Sequence, residues 1–469
     1  MDKDLITKNH FHFIGIGGIG MSAIAMGLLK KGYSVSGSDL VKNNETNKLE
    51  KLGAIIFNSQ IRQNIEFITS KFNNKLINFV VSTAIKPENE ELIYCREKKL
   101  EVKHRSEILA LLMQSYTALA VAGSHGKTTV TCIMAHIFTE AGLDPTYIIG
   151  GKVKSFESNA KLGLGEHIIA EADESDGSFL NLRPLKALVT NIDNDHLGTY
   201  GNDLNNLKKS FKKFCLSLPF QGYLIANGDD QSIKNIIKNI PRNSFSFGKD
   251  KSNDYQIKDI KQNIRGTSFK LKDNFTKKEY SFSMSMHGEH NVMNATSAII
   301  AAIQENIDLS IIKKSLKTCS SIERRFEIVS HDIFSKKITL VDDYGHHPKE
   351  IKYSHDTASE IWKNKKKIVV FQPHRYTRTK DLFDEFIKTL SNIENLLLLD
   401  IYPASERIIK GYEGKDLFQS LKKNGSNVVF CKNHAEVIER LENMTAGNEV
   451  IITQGAGTTS ELARKISNQ

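Results

Sequence analysis

Residues Ala118–Val130 read Ala-Leu-Ala-Val-Ala-Gly-Ser-His-Gly-Lys-Thr-Thr-Val, and the order of residue types within them decides how the chain is read. Small and aliphatic residues from Ala118 to Ala122 suit a strand buried on both faces. Glycines at 123 and 126 interrupt it, and Cys132 to Phe138 resumes with helical periodicity. Backbone N–H groups in such a strand-to-helix loop, together with the N-terminus of the following helix, can hold phosphate oxygens. Lys127 would reach the β and γ phosphates and Thr128 would hold Mg²⁺, with Gly123, Ser124, His125, Gly126 and Thr129 completing the loop. The pattern departs from GxxxxGK[ST], which would require glycine where Val121 stands. An ordinary glycine-rich turn is the competing reading; the GKTT core between a strand and a helix favours a nucleoside-triphosphate site.

Two later strand-like runs end in groups suited to such a site. Ile168 to Ala172 leads into Glu171-Ala-Asp-Glu-Ser-Asp-Gly, and Ala187 to Asn191 leads into Asn191-Ile-Asp-Asn-Asp-His196. In a doubly wound sheet the carboxyl ends of neighbouring strands open onto one crevice, so both runs can meet the phosphate loop. Glu171 and His196 are the metal-ligand candidates beside Thr128, and a cation there would help neutralise a transferring phosphoryl group. For Asp173, Glu174, Asp193 and Asp195, solvation of the loop or helix capping is the expected role.

Similar alternation of apolar runs with helix-period stretches extends almost from end to end, giving an α/β class with parallel sheets. At 469 residues the length suits about three domains. The first, residues 1–105, opens with a strand from His10 to Ile14, a glycine loop, and a helix whose Met21, Ile24, Ala25, Leu28 and Leu29 share one face, with Gly32 as its stop. The second covers 106–321. The third, 322–469, carries strand-like runs at Ile338 to Val341, Lys367 to Gln372, Leu396 to Ile401, Asn427 to Cys431 and Val450 to Thr453.

Composition bounds the partners. Sixty-four basic against 54 acidic residues leave a charge of +10, but the lysines are dispersed and no zinc finger, basic zipper or RNP pattern accompanies them. A solvated lysine-rich surface is therefore expected, without a nucleic-acid partner. No apolar run approaches the ~18 residues that cross a bilayer, and the N-terminus lacks the apolar stretch of a signal peptide, so a cytoplasmic protein without membrane insertion is expected. Cys95, Cys132, Cys215, Cys319 and Cys431 are scattered singly, which suggests structural thiols rather than a disulfide framework or a zinc site.

Three further clusters carry polar chemistry. Gly15-Ile-Gly17-Gly18-Ile-Gly20 fits GxGxxG, with Asp39 nineteen residues beyond Gly20; alone it suggests a nicotinamide dehydrogenase, but any nucleotide diphosphate can lie on such a loop. Asp342-Asp343-Tyr344-Gly345-His346-His347-Pro348 and Gln372-Pro373-His374-Arg375-Tyr376-Thr377-Arg378 each follow a strand. Arg375 and Arg378 could clamp a small carboxylate through bidentate donors. For the paired histidines a structural place at a strand end competes with metal binding. Asn291 and Asn294 lie one helical turn apart and can present amides to one ligand, although asparagines there are also common caps.

Taken together, the segments GIGGIGM, GSHGKTTV, EADESDGSF, NIDNDHLGTYG, GEHNVMNA, SIERRFE, DDYGHHPKEI, FQPHRYTRTKDL and GAGTTSE follow one another in an order that resembles the Mur ligases of bacterial cell-wall synthesis over the whole length. This resemblance implies a three-domain architecture: an N-terminal Rossmann-like domain, a central P-loop ATPase-like domain and a C-terminal Rossmann-like domain. It implies that the Gly15, Gly17, Gly18 and Gly20 loop with Asp39 holds the UDP part of UDP-N-acetylmuramate, which removes the need for NAD. ATP would bind through Lys127 and Thr128, with two magnesium ions held by Glu171, His196 and Thr128. Asn291, Asn294, Arg325 and Asp343 match family residues around the nucleotide, and Tyr344, His346, Arg375 and Arg378 would surround an incoming L-alanine. Lys127, His196 and Arg325 would serve the chemistry itself, with His196 and His346 both candidates for general base.

The implied reaction activates the lactyl carboxylate of muramic acid as an acyl phosphate, which the alanine amine attacks. Several relatives carry a carbamylated lysine about fifteen residues after the metal-binding histidine; Lys208, Lys209, Lys212 and Lys213 stand in that stretch, either in that part or as surface residues. A ligase that attaches a recycled tripeptide to the same sugar acid is the near rival, and the HRYTR run favours a single amino acid. A dehydrogenase and a nucleotide-controlled binding module are the readings from other classes.

Overall fold

A computed structural model describes residues 3–149, 160–195, 197–319 and 324–469. Within it the chain forms two compact units, one of residues 1–258, 271–280 and 293–316, the other of 259–270, 281–292 and 317–469.

In the first unit, strands β1 (Asn9–Ile14), β2 (Ser34–Ser38), β3 (Ile55–Phe57), β4 (Leu76–Val81) and β5 (Val102–His104) form a parallel sheet of order β3-β2-β1-β4-β5. The strand order reverses at β1, so the glycine loop after Ile14 opens at the place where doubly wound sheets bind ligands. Helix Ile19–Lys30 follows it, and Gly32, at φ 89°, lies just beyond its end. The expected apolar stripe is broader in the structure: every residue from Met21 to Leu28 is buried. Gly27 explains how, because a Cβ there would lie 2.5 Å from Leu112 of the helix Arg105–Met113, which packs against it.

The second sheet has ten strands, in the order β15-β14-β13-β12-β11-β10-β6-β9-β7-β8. Its centre is β6 (Thr117–Ala122), flanked in parallel by β9 (His167–Glu171) and β10 (Lys186–Val189). Beyond them lie β7 (Thr146–Ile148), the antiparallel β8 (Ala160–Lys161), β11 (Tyr223–Asn227) and β12 (Asn243–Gly248). Strands β13 (Tyr255–Asn263), β14 (Gly266–Asp273) and β15 (Glu279–Met284) complete the order. Buried residues of both sheets and of the helices packed on them, among them Phe13, Ile24, Leu112, Ala120 and Phe179, belong to one core cluster, so residues 1–105 and the start of the central segment share a packed interior.

The second unit holds a sheet of order β16-β17-β21-β18-β19-β20, built from β16 (Glu327–Ser330), β17 (Thr339–Asp343), β18 (Lys366–Phe371), β19 (Leu396–Leu399), β20 (Val428–Cys431) and β21 (Glu449–Gln454). Only β16 pairs antiparallel. Alternate residues feed two separate cores: Val369, Phe371 and Ile452 on one face, Ile368, Val370 and Ile451 on the other. Those strands read as continuous apolar runs because both faces are covered. All five cysteines are buried free thiols, as their scattered positions suggest. Among the described residues no helix is long and apolar enough to cross a membrane.

Candidate functional site

The phosphate loop leaves the carboxyl end of β6 between its two neighbours. Val121 pairs with Glu171 and Ala122 with Val189, so the residues after β9 and β10 flank the loop as expected. Gly123 (φ 138°) and Gly126 (φ 85°) adopt backbone angles that side chains oppose. Contacts add a second reason: a Cβ on Gly123 would lie 2.0 Å from Thr190 Oγ1, and one on Gly126 2.4 Å from Asn294 Oδ1. Asn294 is thereby placed against the loop. Helix Lys127–Glu140 begins at Gly126 without a side-chain cap, leaving its first N–H groups for an anion.

Residues of β10's end brace the loop from one side. Asn191 Oδ1 accepts from His125 N at 2.9 Å, Asn191 Nδ2 donates to His125 O at 3.0 Å, and Thr190 Oγ1 donates to the same carbonyl at 2.6 Å. Ser124 Oγ accepts from Asp193 N at 2.9 Å, and the His125 ring lies 3.3 Å from the Asp193 carboxylate. Asn191 was legible only as part of a polar run; its bracing role depends on the pairing of β6 with β10. Asp173 accepts from Ser175 N at 3.0 Å, which is the local loop role expected of it.

From the other side come the acids after β9. Thr128 Oγ1 donates to Glu171 Oε2 at 3.3 Å, bringing the two described metal-ligand candidates together. His196, the third, lies outside the described residues. Glu174 corrects the sequence reading: it is neither solvated nor a cap, but fully buried, with Oε2 2.7 Å from Lys127 Nζ. Burial opposes the charge on Lys127, yet Glu174, Asp173 and Glu171 outweigh it and raise the lysine's pKa. Of the four lysines on helix Leu204–Leu216, Lys209, Lys212 and Lys213 are exposed and Lys208 half-buried, while Leu207, Phe211, Phe214 and Cys215 form the buried stripe.

At the N-terminal glycine loop, Gly15 N and Ile16 N donate to Ser38 O at 2.8 and 2.9 Å. Asp39 Oδ2 accepts from Gly17 N at 2.8 Å and Oδ1 from Val41 N at 3.1 Å. Gly18 starts helix Ile19–Lys30 with no side-chain cap, and a Cβ on Gly20 would meet Arg105 Nη1 at 2.6 Å. That arginine also lies 3.9 Å from Asp173, on the acidic loop beside Lys127.

The second unit gathers its own set at the carboxyl edge of its sheet. Gln454, at the end of β21, pairs with Asp343 on one side and Phe371 on the other, so the clusters after β17 and β18 are neighbours. His346 and His374 rings lie 5.9 Å apart, and Tyr344 is 5.4 Å from His346. Arg378 Nη1 lies 3.3 Å from His374 Nδ1, while Arg375 is exposed with its backbone at φ 74° and ψ 136°. Asp343 is buried and accepts from Phe326 N, Gly345 N and Gln454 Nε2 at 2.7, 2.7 and 3.1 Å. Burial raises its pKa, partly offset by Arg325. Arg325 lies over the Tyr344 ring at 5.3 Å and 3.8 Å from Glu350. Asn291 donates its amide to His287 O at 2.7 Å. His347 is fully buried and caps helix Pro348–Ile361, its Nδ1 accepting from Lys349 N at 3.3 Å.

Known proteins align with this chain throughout. Family models described as "Mur ligase family, catalytic domain", "Mur ligase middle domain" and "Mur ligase, glutamate ligase domain" match residues 10–117, 121–302 and 324–457. A UDP-N-acetylmuramate--L-alanine ligase of Hydrogenovibrio crunogenus is 40% identical over 469 residues, covering 100% of this chain and 99% of its own. One from Ruthia magnifica is 41% identical over 452 residues, covering 96% and 94%. The crystal structure of UDP-N-acetylmuramate-alanine ligase from Thermotoga maritima superposes with a TM-score of 0.76 at 27% identity, covering 98% of each chain.

Proposed function

Because the chain belongs to the Mur ligase family, we propose that it is an ATP-dependent ligase that joins L-alanine to the lactyl carboxylate of UDP-N-acetylmuramate in peptidoglycan precursor synthesis. The observation that carries this reading is identity near 40% to L-alanine ligases across the full chain, including the C-terminal third where the amino-acid site is expected. The same observation disfavours the tripeptide-recycling rival. A P-loop with a buried lysine, rather than a nicotinamide site, is the chemistry such a reaction requires.

A carboxylate at neutral pH resists attack by an amine. Transfer of the γ-phosphoryl group of ATP to the lactyl carboxylate breaks the Pγ–O bond to ADP and forms an acyl phosphate. The alanine amine then attacks the acyl carbon, a tetrahedral intermediate forms, and inorganic phosphate leaves. In this reading the amides of Gly123 to Lys127 and the Lys127 ammonium stabilise charge on the moving phosphoryl group. Thr128 and Glu171, hard oxygen donors 3.3 Å apart, fit magnesium, and with His196 they would hold it. Bound there, magnesium supplies positive charge against the triphosphate. The uncapped start of helix Ile19–Lys30 would take the UDP diphosphate, and Tyr344, His346, Arg375 and Arg378 would receive alanine. The cytoplasm is the proposed location, since the co-substrate is ATP.

Phosphate release measured with each substrate omitted in turn tests the reading. Sustained release is expected only with ATP, UDP-N-acetylmuramate and L-alanine together. Equal turnover without alanine, or a strong preference for a tripeptide over alanine, would refute it.

A further inference from the structure

An ammonium has three hydrogen-bond donors. Lys127 Nζ directs them to Gly123 O at 2.6 Å, Ser124 O at 3.4 Å and Glu174 Oε2 at 2.7 Å. Two of these acceptors are neutral carbonyls of the phosphate loop itself. The third is a carboxylate with no solvent exposure. Its other oxygen, Oε1, is buried and has no hydrogen-bond partner among the described residues. The main chain beneath it is fixed, because the Glu174 carbonyl accepts from Tyr200 Oη at 2.5 Å and from Gly177 N at 3.0 Å.

A triphosphate on this loop must take N–H donors away from Lys127's present acceptors. Releasing a carbonyl leaves a neutral group beside a rearranged loop. Releasing Glu174 leaves a fully buried carboxylate without its cation, which is far costlier. The exchange therefore falls on the carbonyl bonds. We propose that Glu174 is a positioning residue for Lys127: the ammonium pivots on the Glu174 carboxylate, giving up Gly123 O and Ser124 O for phosphate oxygens while the Glu174 bond persists. The open Oε1 allows the bond to pass between the two carboxylate oxygens as the lysine moves. This inference deepens the ligase reading and rests on it.

Glu174→Gln keeps the shape and one acceptor but removes the charge, and Tyr200→Phe removes only the hydroxyl that fixes the Glu174 main chain. In the phosphate-release assay, Glu174→Gln should lower kcat at saturating ATP at least tenfold, raise KM for ATP only a few fold, and leave calorimetric binding of UDP-N-acetylmuramate unchanged. Glu174→Asp, which keeps the charge but withdraws it by one methylene, should recover part of the lost kcat. Tyr200→Phe should lower kcat by a smaller factor at an unchanged KM for UDP-N-acetylmuramate. A lower KM for ATP with undiminished kcat in Glu174→Gln would overturn the pivot, since Glu174 would then compete with ATP for the lysine. Should Glu174→Gln fail to fold, an unchanged kcat in Tyr200→Phe would overturn it equally. Wild-type protein without alanine-dependent release would fail the ligase reading; a working wild type with unaffected variants fails the pivot alone.

Discussion

Arg375 sits at φ 74° and ψ 136°, a region that only glycine occupies without strain, and its amide is held there by donating to Tyr402 O at 2.9 Å. Non-glycine residues so placed store about 1–3 kcal/mol. The side chain is exposed, so replacing it removes little packing. Arg375→Gly should release the strain at a cost of about 0.4–1 kcal/mol in unfolded-chain entropy, for a net stabilisation of about 1 kcal/mol. Arg375→Ala keeps the Cβ and the strain, and should match wild type within about 0.5 kcal/mol. Both variants lose the guanidinium, whose charge-assisted bonds to a carboxylate are worth about 1.5–3 kcal/mol. KM for alanine should therefore rise roughly 10- to 150-fold in each. Urea unfolding followed by circular dichroism, with phosphate release against alanine concentration, reads both effects. A glycine variant no more stable than the alanine variant would refute the strain argument. An alanine dependence unchanged in both would remove Arg375 from the proposed amino-acid site.

Lys127→Ala should abolish detectable ligation, at least about a hundredfold, while calorimetric UDP-N-acetylmuramate binding persists, because the charge that stabilises the phosphoryl group is lost. Gly123→Ala brings a Cβ to 2.0 Å from Thr190 Oγ1 at φ 138° and should lower kcat/KM for ATP more than about tenfold, visible in the same assay. Far from the site, Glu305 accepts from Tyr223 Oη at 2.7 Å and pairs with His167 at 3.0 Å and with Lys186. Burial opposes its ionisation, but these three partners outweigh it and lower its pKa from 4.5 to about 2. A depressed folded pKa stabilises above the unfolded value and loses that contribution as pH falls. The stability gap between wild type and Glu305→Gln, roughly 3 kcal/mol at neutral pH, should close between about pH 4.5 and 2 in urea titrations. A gap unaffected by acid would refute the pairing.

Where the sequence could be read and where it could not follows from the range of the interactions. The phosphate loop was legible because glycine, lysine and threonine act through backbone geometry within a few residues. Strands β6, β9, β17, β18 and β21 announced themselves as apolar runs, since both faces of a parallel sheet are covered. Strand β14 alternates buried and half-buried residues from Thr267 to Asp273, and Tyr255 and Ile257 open β13 in the same way, but this period-two signal is short and lies among lysines. Glu174 is hidden in the sequence for a different reason. Its neighbours Asp173, Ser175 and Asp176 are polar, and only the fold reveals that one acid of four turns inward to meet a lysine 47 positions earlier. Asp343 shows the same limit, because its acceptor bonds to Phe326 and Gln454 join distant parts of the chain.

Both glycine loops hold a charged group against themselves, and this bears on how each would receive phosphate. In the first, Asp39 occupies Gly17 N–H; in the second, Lys127 occupies Gly123 O and Ser124 O. The signs differ. A diphosphate approaching Gly17 would meet a carboxylate, and like charges repel, so the place proposed for it is further along, at the uncapped first turn of helix Ile19–Lys30 near Arg105, whose guanidinium lies beside Gly20. A triphosphate approaching the second loop meets an ammonium that is already present and has only to turn. On these grounds Asp39→Asn should leave UDP-N-acetylmuramate binding unchanged or tighter, because it removes the repulsion and keeps an acceptor for Gly17 N–H. Isothermal titration in low salt reads the difference most clearly. Binding weakened more than tenfold would mean that the carboxylate itself grips the ligand, as a ribose-binding acid does in a dinucleotide fold.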